Sequence, residues 1–272
     1  MFDRTPYETK LDPNRPSHLG LLREEHSVQN HSEFFVWDVV DWPAYVQPAL
    51  DKGIQGNDVA MGMEELKDLL KPGYLPLETG YARCSDGKLS VAVLTPLPGG
   101  AAAMIDWWFG WHSSSTERYK LWHPQAHLFS QPRYILSDVP GLTDRERYVG
   151  NTLWVDEYIG PSVTPLAIEF QDPKSAGLSY EDLAASGHGT AAFAEVRNSS
   201  TDEHLAYLCH AIRKTDYGSE MRSRFVFRAG TPDDFGHNML HHCATEMNHL
   251  ASFLPRLYTK VVLENAASGA LK

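Results

Sequence analysis

An α+β helix-grip fold, in which a curved antiparallel sheet wraps one long C-terminal helix, is predicted from three observations. A strand pair lies near residue 80, with two helical segments after it. Alternating apolar segments then run from Tyr148 to Arg228. A long helical stretch, Asp233 to about Leu263, closes the segment order. Strands followed by a helix that must bury one stripe leave a cavity between the two layers.

Taking the elements in order, residues 1–74 form an N-terminal irregular and helical region, and residues 75–272 form the helix-grip domain. The first 60 or so are rich in Pro, Asn and Asp and show little sustained period. Phe34 to Val46 is an aromatic patch (Phe34, Phe35, Trp37, Trp42, Tyr45) that must pack on the main body or on a second subunit. Gly62 to Leu70 reads as helix, ended by Lys71-Pro72-Gly73. Strands are expected at Glu78–Cys84 and Leu89–Leu94 around the turn Ser85-Asp86-Gly87. Helices are expected at Ala101–Trp111 and Thr116–Ser130. Further strands are expected at Tyr148–Ile159, Leu166–Phe170, Thr190–Arg197, Leu205–Arg213 and Met221–Arg228, and the final helix is expected to bend at Pro255.

Composition narrows the function classes. The chain has 272 residues, 42% of them hydrophobic, enough for one large core. A net charge of -11 argues against nucleic acid or an anionic membrane as partner. The first ten residues carry charges and Pro where a signal peptide needs an apolar run, and no segment approaches the roughly 18 apolar residues of a membrane span. Cys84, Cys209 and Cys243 form no CxxC pair, as expected of core thiols in a reduced cytoplasmic protein. There is no HExxH, GxGxxG or GxSxG motif.

The chemistry concentrates on the C-terminal helix. His242 and Glu246 are four residues apart and share a face with Asn238 and His249. Glu246 borders the apolar stripe of Met239, Cys243, Met247, Leu250, Leu254 and Leu257, where an unpaired carboxylate is costly to bury. A cation would remove that cost. Glu157 shares an inward strand face with Val149, Asn151, Leu153, Val155 and Ile159, and Asp156 points the other way, toward solvent. His123 and His127 form a second pair four apart; on a helix opened by Pro124 both would point one way. Two His and two Glu suit Zn²⁺, and Mn²⁺ or Fe²⁺ could occupy the same donors. His210 lies on the face of Leu208 and Ile212, and Tyr119 can present a phenol to the same cavity. Each of these residues also has an ordinary structural use, as a surface ion pair, a core histidine or a packing ring.

Together, Trp107-Trp108-Phe109-Gly110-Trp111, Arg118-Tyr119-Lys120, His123-Pro124-Gln125-Ala126-His127, Asp156-Glu157-Tyr158-Ile159-Gly160 and His242-Cys243-Ala244-Thr245-Glu246 resemble the 2,4-diacetylphloroglucinol hydrolase and phloretin hydrolase family, over residues 75 to about 260. The resemblance implies a Bet v 1-like helix-grip domain, a smaller N-terminal part used in homodimer contacts, and one Zn²⁺ held by two His and two Glu. Carried over, the ligands are His127, Glu157, His242 and Glu246, with His123 the competing choice for the first. Tyr119, His123, Glu157 and His210 are the implied catalytic groups. Ser130 stands where the family has asparagine, which puts the substrate in question rather than the metal. The implied reaction is hydrolysis of the carbon–carbon bond between an acyl group and a phloroglucinol-type ring, on a small aromatic ketone. A non-catalytic carrier of a flat aromatic ligand, or a metal-dependent enzyme acting on another β-diketone or aryl ketone, are the alternatives.

Overall fold

The computed structural model describes residues 2–12 and 31–264. Strands Gly80–Arg83 (β1), Leu89–Pro98 (β2), His127–Pro132 (β3), Thr152–Ile159 (β4), Ser162–Gln171 (β5), His188–Asn198 (β6), His204–Thr215 (β7) and Gly218–Phe227 (β8) form one sheet. Its order is β1-β2-β8-β7-β6-β5-β4-β3, and every pair is antiparallel. The helices are Val46–Lys52 (α1), Ala102–His112 (α2), Thr116–Trp122 (α3), Asp144–Tyr148 (α4), Tyr180–Ala185 (α5) and Asp233–Tyr258 (α6). Helix α6 lies across β1, β2 and β4, and α2 packs on β6 and β7. This is the expected helix grip.

The apolar stripe of α6 explains the grip. Met239, Cys243, Met247, Leu250, Leu254 and Leu257 are all buried, each large side chain contributing about 2 kcal/mol on removal from water. Pro255 does not end the helix, which runs on to Tyr258 and then widens into a π-helical turn at Thr259–Glu264. Among the described residues no helix is long and apolar enough to cross a membrane.

The outer face of the sheet carries a second core of Met61, Leu66, Leu69, Leu183, Phe193 and Cys209. Beside it Glu78 bridges Arg222 and Arg224, and the Arg222 guanidinium donates to the Leu69 carbonyl at 2.6 Å. Residues 61–78 are thereby fastened to β8. The aromatic patch splits: Phe34 packs on Phe253 and Trp42 on His241, both of α6, while Trp37 and Tyr45 stay exposed.

Four local expectations need correction. Residues 62–65 are not helical; only a 3-10 turn forms, at Leu66–Leu70, pinned by Leu66 and Leu69 and stopped before Pro72. The helix expected to reach Ser130 ends at Trp122, because His123 precedes Pro124 and is forced to φ -145°, ψ 82°. The strand expected from Tyr148 starts at Thr152; Thr143 and Glu146 form a capping box that opens α4 instead. Asp156 is buried rather than solvated, because β4 is an interior strand whose outward neighbours Trp154 and Tyr158 are themselves half-buried.

The β4–β5 hairpin turns at Gly160, with φ +67°, where a Cβ would lie 2.4 Å from the Asn238 amide on α6. The turn and the close approach both require glycine. Gly160→Ala is expected to destabilise by about 2 kcal/mol, roughly 5 °C at this chain length. A thermal scan showing no shift would mean that the turn accepts a side chain.

Candidate active site and metal centre

Three separate stretches of backbone deliver the polar cluster. Strand register sets His127 of β3 directly opposite Glu157 of β4, so both side chains leave the sheet on one face. Helix α6 lowers His242 and Glu246 onto that face from above, one helical turn apart. His127 Nε2 lies 3.4 Å from Glu246 Oε2 and 3.6 Å from Glu157 Oε2. His242 Nε2 lies 3.8 Å from Glu246 Oε2 and 3.9 Å from Glu157 Oε1. All four side chains are buried.

One donor atom each from His127, His242 and Glu246 comes together within 4.8 Å. Glu157 spans the same gap but faces the two imidazoles with different oxygens, and its Oε2 also accepts a hydrogen bond from the Tyr119 hydroxyl. His127 is oriented from behind: its Nδ1–H donates to the Tyr119 carbonyl at 3.0 Å, and the ring stacks on Tyr119 at 3.8 Å. That tautomer leaves Nε2 as an acceptor, and Nε2 has no partner in the protein. Lys120 Nζ donates to the His127 carbonyl at 3.1 Å and steadies the start of β3.

The electrostatics are those of a site short of positive charge. Burial, with His123 and His242 nearby, holds His127 well below the ordinary imidazole range. Burial lowers His242 as well. Burial and the neighbouring Glu157 push Glu246 well above the carboxylate range. Burial and Glu157 likewise raise the Tyr119 phenol. Two neutral imidazoles and two crowded carboxylates fit a divalent cation of the zinc class: the donors are the right types, and a cation would satisfy the orphaned His127 Nε2.

His123 sits outside this cluster. Its ring stacks on His242 at 5.3 Å and lies 5.6 Å from His127, and it is absent from the cavity lining. Asn238 is half-buried at the Gly160 turn, and His249 is buried against Phe253.

Glu157 and Glu246 of the cluster, with Tyr119, open onto a cavity of about 280 Å³. Its wall is largely apolar, with Leu166, Leu208, Phe225, Phe227 and Met239 among its lining. His210 is on the wall, with Nδ1 2.8 Å from Ser223 Oγ and its ring stacked on Phe109. His112 and Trp122 also line the cavity and were not among the expected site residues. His112 follows Trp108 by one helical turn, but every residue of α2 from Ile105 to His112 is buried, so helical spacing alone does not single it out.

The DAPG hydrolase PhiG domain family matches residues 61–231 and 227–259. The chain belongs to this family. A 2,4-diacetylphloroglucinol hydrolase of Pseudomonas protegens is 31% identical over 226 residues, covering 72% of this chain and 72% of the relative. Phloretin hydrolase of Eubacterium ramulus is 24% identical over 264 residues, covering 89% and 93%. Among solved structures, Ara h 8.0201 is similar at 10% identity and a TM-score of 0.38, covering 61% of this chain and 96% of that one. Membership of the family reaches further toward the N-terminus than the motifs alone indicated, to residue 61 rather than 75.

Proposed function

We propose that this family member is a metal-dependent hydrolase that cleaves the carbon–carbon bond between an acyl group and a phloroglucinol-type ring. The observation that carries the reading is the convergence of His127, Glu157, His242 and Glu246, of which the two carboxylates face an apolar, aromatic-walled cavity. The relatives named above, which act as hydrolases on diacetylphloroglucinol and phloretin, support it.

His127, His242 and Glu246 would hold the ion, with Glu157 as fourth ligand or as adjacent base. Bound there, Zn²⁺, or Mn²⁺ or Fe²⁺ on the same donors, supplies a Lewis acid and a water of lowered pKa. The aryl–acyl bond has no leaving group until the ring carbon takes up a proton, so the site must hold the ring as its keto tautomer. The Tyr119 hydroxyl and Glu157 carboxylate share a hydrogen bond at the cavity wall and can hold and return that proton. His210, fixed by Ser223, offers its other ring nitrogen to a ring oxygen. Phe109 supplies a flat surface for the ring, and the apolar wall keeps bulk water away from the departing carbanion. His123 supports His242 by stacking rather than touching substrate. A homodimer and a cytoplasmic location belong to the same reading.

Incubation with phloretin, monoacetylphloroglucinol and diacetylphloroglucinol is expected to release the ring and the free acid from at least one of them, and to stop when a chelator removes the metal. No turnover of any of the three by metal-loaded protein would remove this reading.

A further inference from the structure

Among the described residues, the buried side-chain polar atoms without a hydrogen-bond partner include only two on residues that line the cavity, His112 Nε2 and Trp122 Nε1. The two rings adjoin, with centroids 5.1 Å apart and planes at 73°. They flank Tyr119, whose ring lies 6.0 Å from His112 and 6.3 Å from Trp122. The pair therefore sits beside the polar cluster, against the Tyr119 ring in the cavity wall.

Their hydrogen-bonding roles are fixed and opposite. His112 Nδ1 is 2.7 Å from the Trp108 carbonyl, which can only accept, so Nδ1 carries the hydrogen. Nε2 is then a lone-pair acceptor, and burial keeps the ring neutral. An indole nitrogen can only donate. Leaving both unmatched carries the desolvation cost of each buried atom, and one hydroxyl can satisfy both by donating to the imidazole and accepting from the indole.

We propose that His112 Nε2 and Trp122 Nε1 form a hydroxyl-binding pair that selects substrates carrying a phenolic hydroxyl on the ring. The inference rests on the aromatic substrate class proposed above and adds a specificity-determining contact to it. The pair turns the ring's hydroxyl pattern into a condition for binding, because a ring without the hydroxyl leaves both buried atoms unpaired.

The test uses ring ligands that need no cleavage. Tryptophan fluorescence or calorimetry would compare phloroglucinol with 1,3,5-trimethylbenzene, which has the same three-fold shape and no hydroxyl. The parent protein should prefer phloroglucinol. His112→Phe keeps the ring and its stacking and removes the acceptor; it should weaken phloroglucinol by about tenfold and leave trimethylbenzene unchanged or tighter. Trp122→Phe makes the same comparison from the donor side if the first variant does not fold. Equal weakening of both ligands, no loss for either, or a parent that does not prefer phloroglucinol would overturn the pair. Preference lost on His112→Phe in a protein that cleaves no acylphloroglucinol would keep the pair and remove the proposed reaction. Cleavage with no preference to lose would do the reverse.

Discussion

Replacing Glu246 with Gln is expected to lower metal affinity by more than about a hundredfold, beyond what losing a supporting outer partner costs, while leaving the metal-free protein at least as stable as the parent. The two effects have opposite signs for one reason. Without a cation, Glu246 is a carboxyl group buried against Glu157 and raised well above its ordinary pKa. Removing its charge relieves that cost, as expected at a functional site where stability is given up for chemistry. With a cation, the same carboxylate would serve as a ligand, for which Gln is a poor substitute. His242→Ala should also lose the metal, but it leaves a hole in the fully packed helix face and should destabilise the metal-free chain. Metal content after dialysis, and melting with and without added Zn²⁺, separate the cases. About one metal per chain retained by both variants would sink the ligand assignment.

How much of this site was legible before the fold is best seen residue by residue. His242 and Glu246 were readable because helical spacing is a local property and α6 is a long, strongly patterned helix. Glu157 was readable because strand alternation placed it with Leu153, Val155 and Ile159, all buried. The pair His123 and His127 was read with the wrong geometry: its spacing is helical, but Pro124 breaks the helix and His127 reaches the site through strand pairing with Glu157. Register between distant strands is not written in either strand alone. Asp156 failed for a related reason, since alternation says which face a residue takes and not whether something covers it. His112 and Trp122 were hidden among so many aromatic neighbours that only the cavity singles them out.

Acid should unfold the metal-free protein well before its carboxylates are neutralised. His112 and His210 are fully buried and held down to about 3, and His188 to about 4, in each case chiefly by burial. In the unfolded chain each titrates near 6.5, so between pH 6.5 and about 4 the unfolded state binds protons that the folded state refuses. Stability from these groups is complete above pH 6.5 and is lost as pH falls, each costing about 1.4 kcal/mol per pH unit. Glu246 works the other way: its raised pKa makes the folded state the better proton binder above the unfolded value, offsetting about one histidine. From these four groups alone the slope is about 3 kcal/mol per pH unit, against a total stability of about 5–15 kcal/mol, and His123, His127, His242 and His249, also held down chiefly by burial, act in the same direction. The urea midpoint of the metal-free protein should therefore fall steeply from pH 6.5 to pH 5, and His210→Phe should flatten the fall by about one proton's worth. A midpoint unchanged over that interval would mean that these histidines take up protons while folded, through openings that the packed structure does not contain.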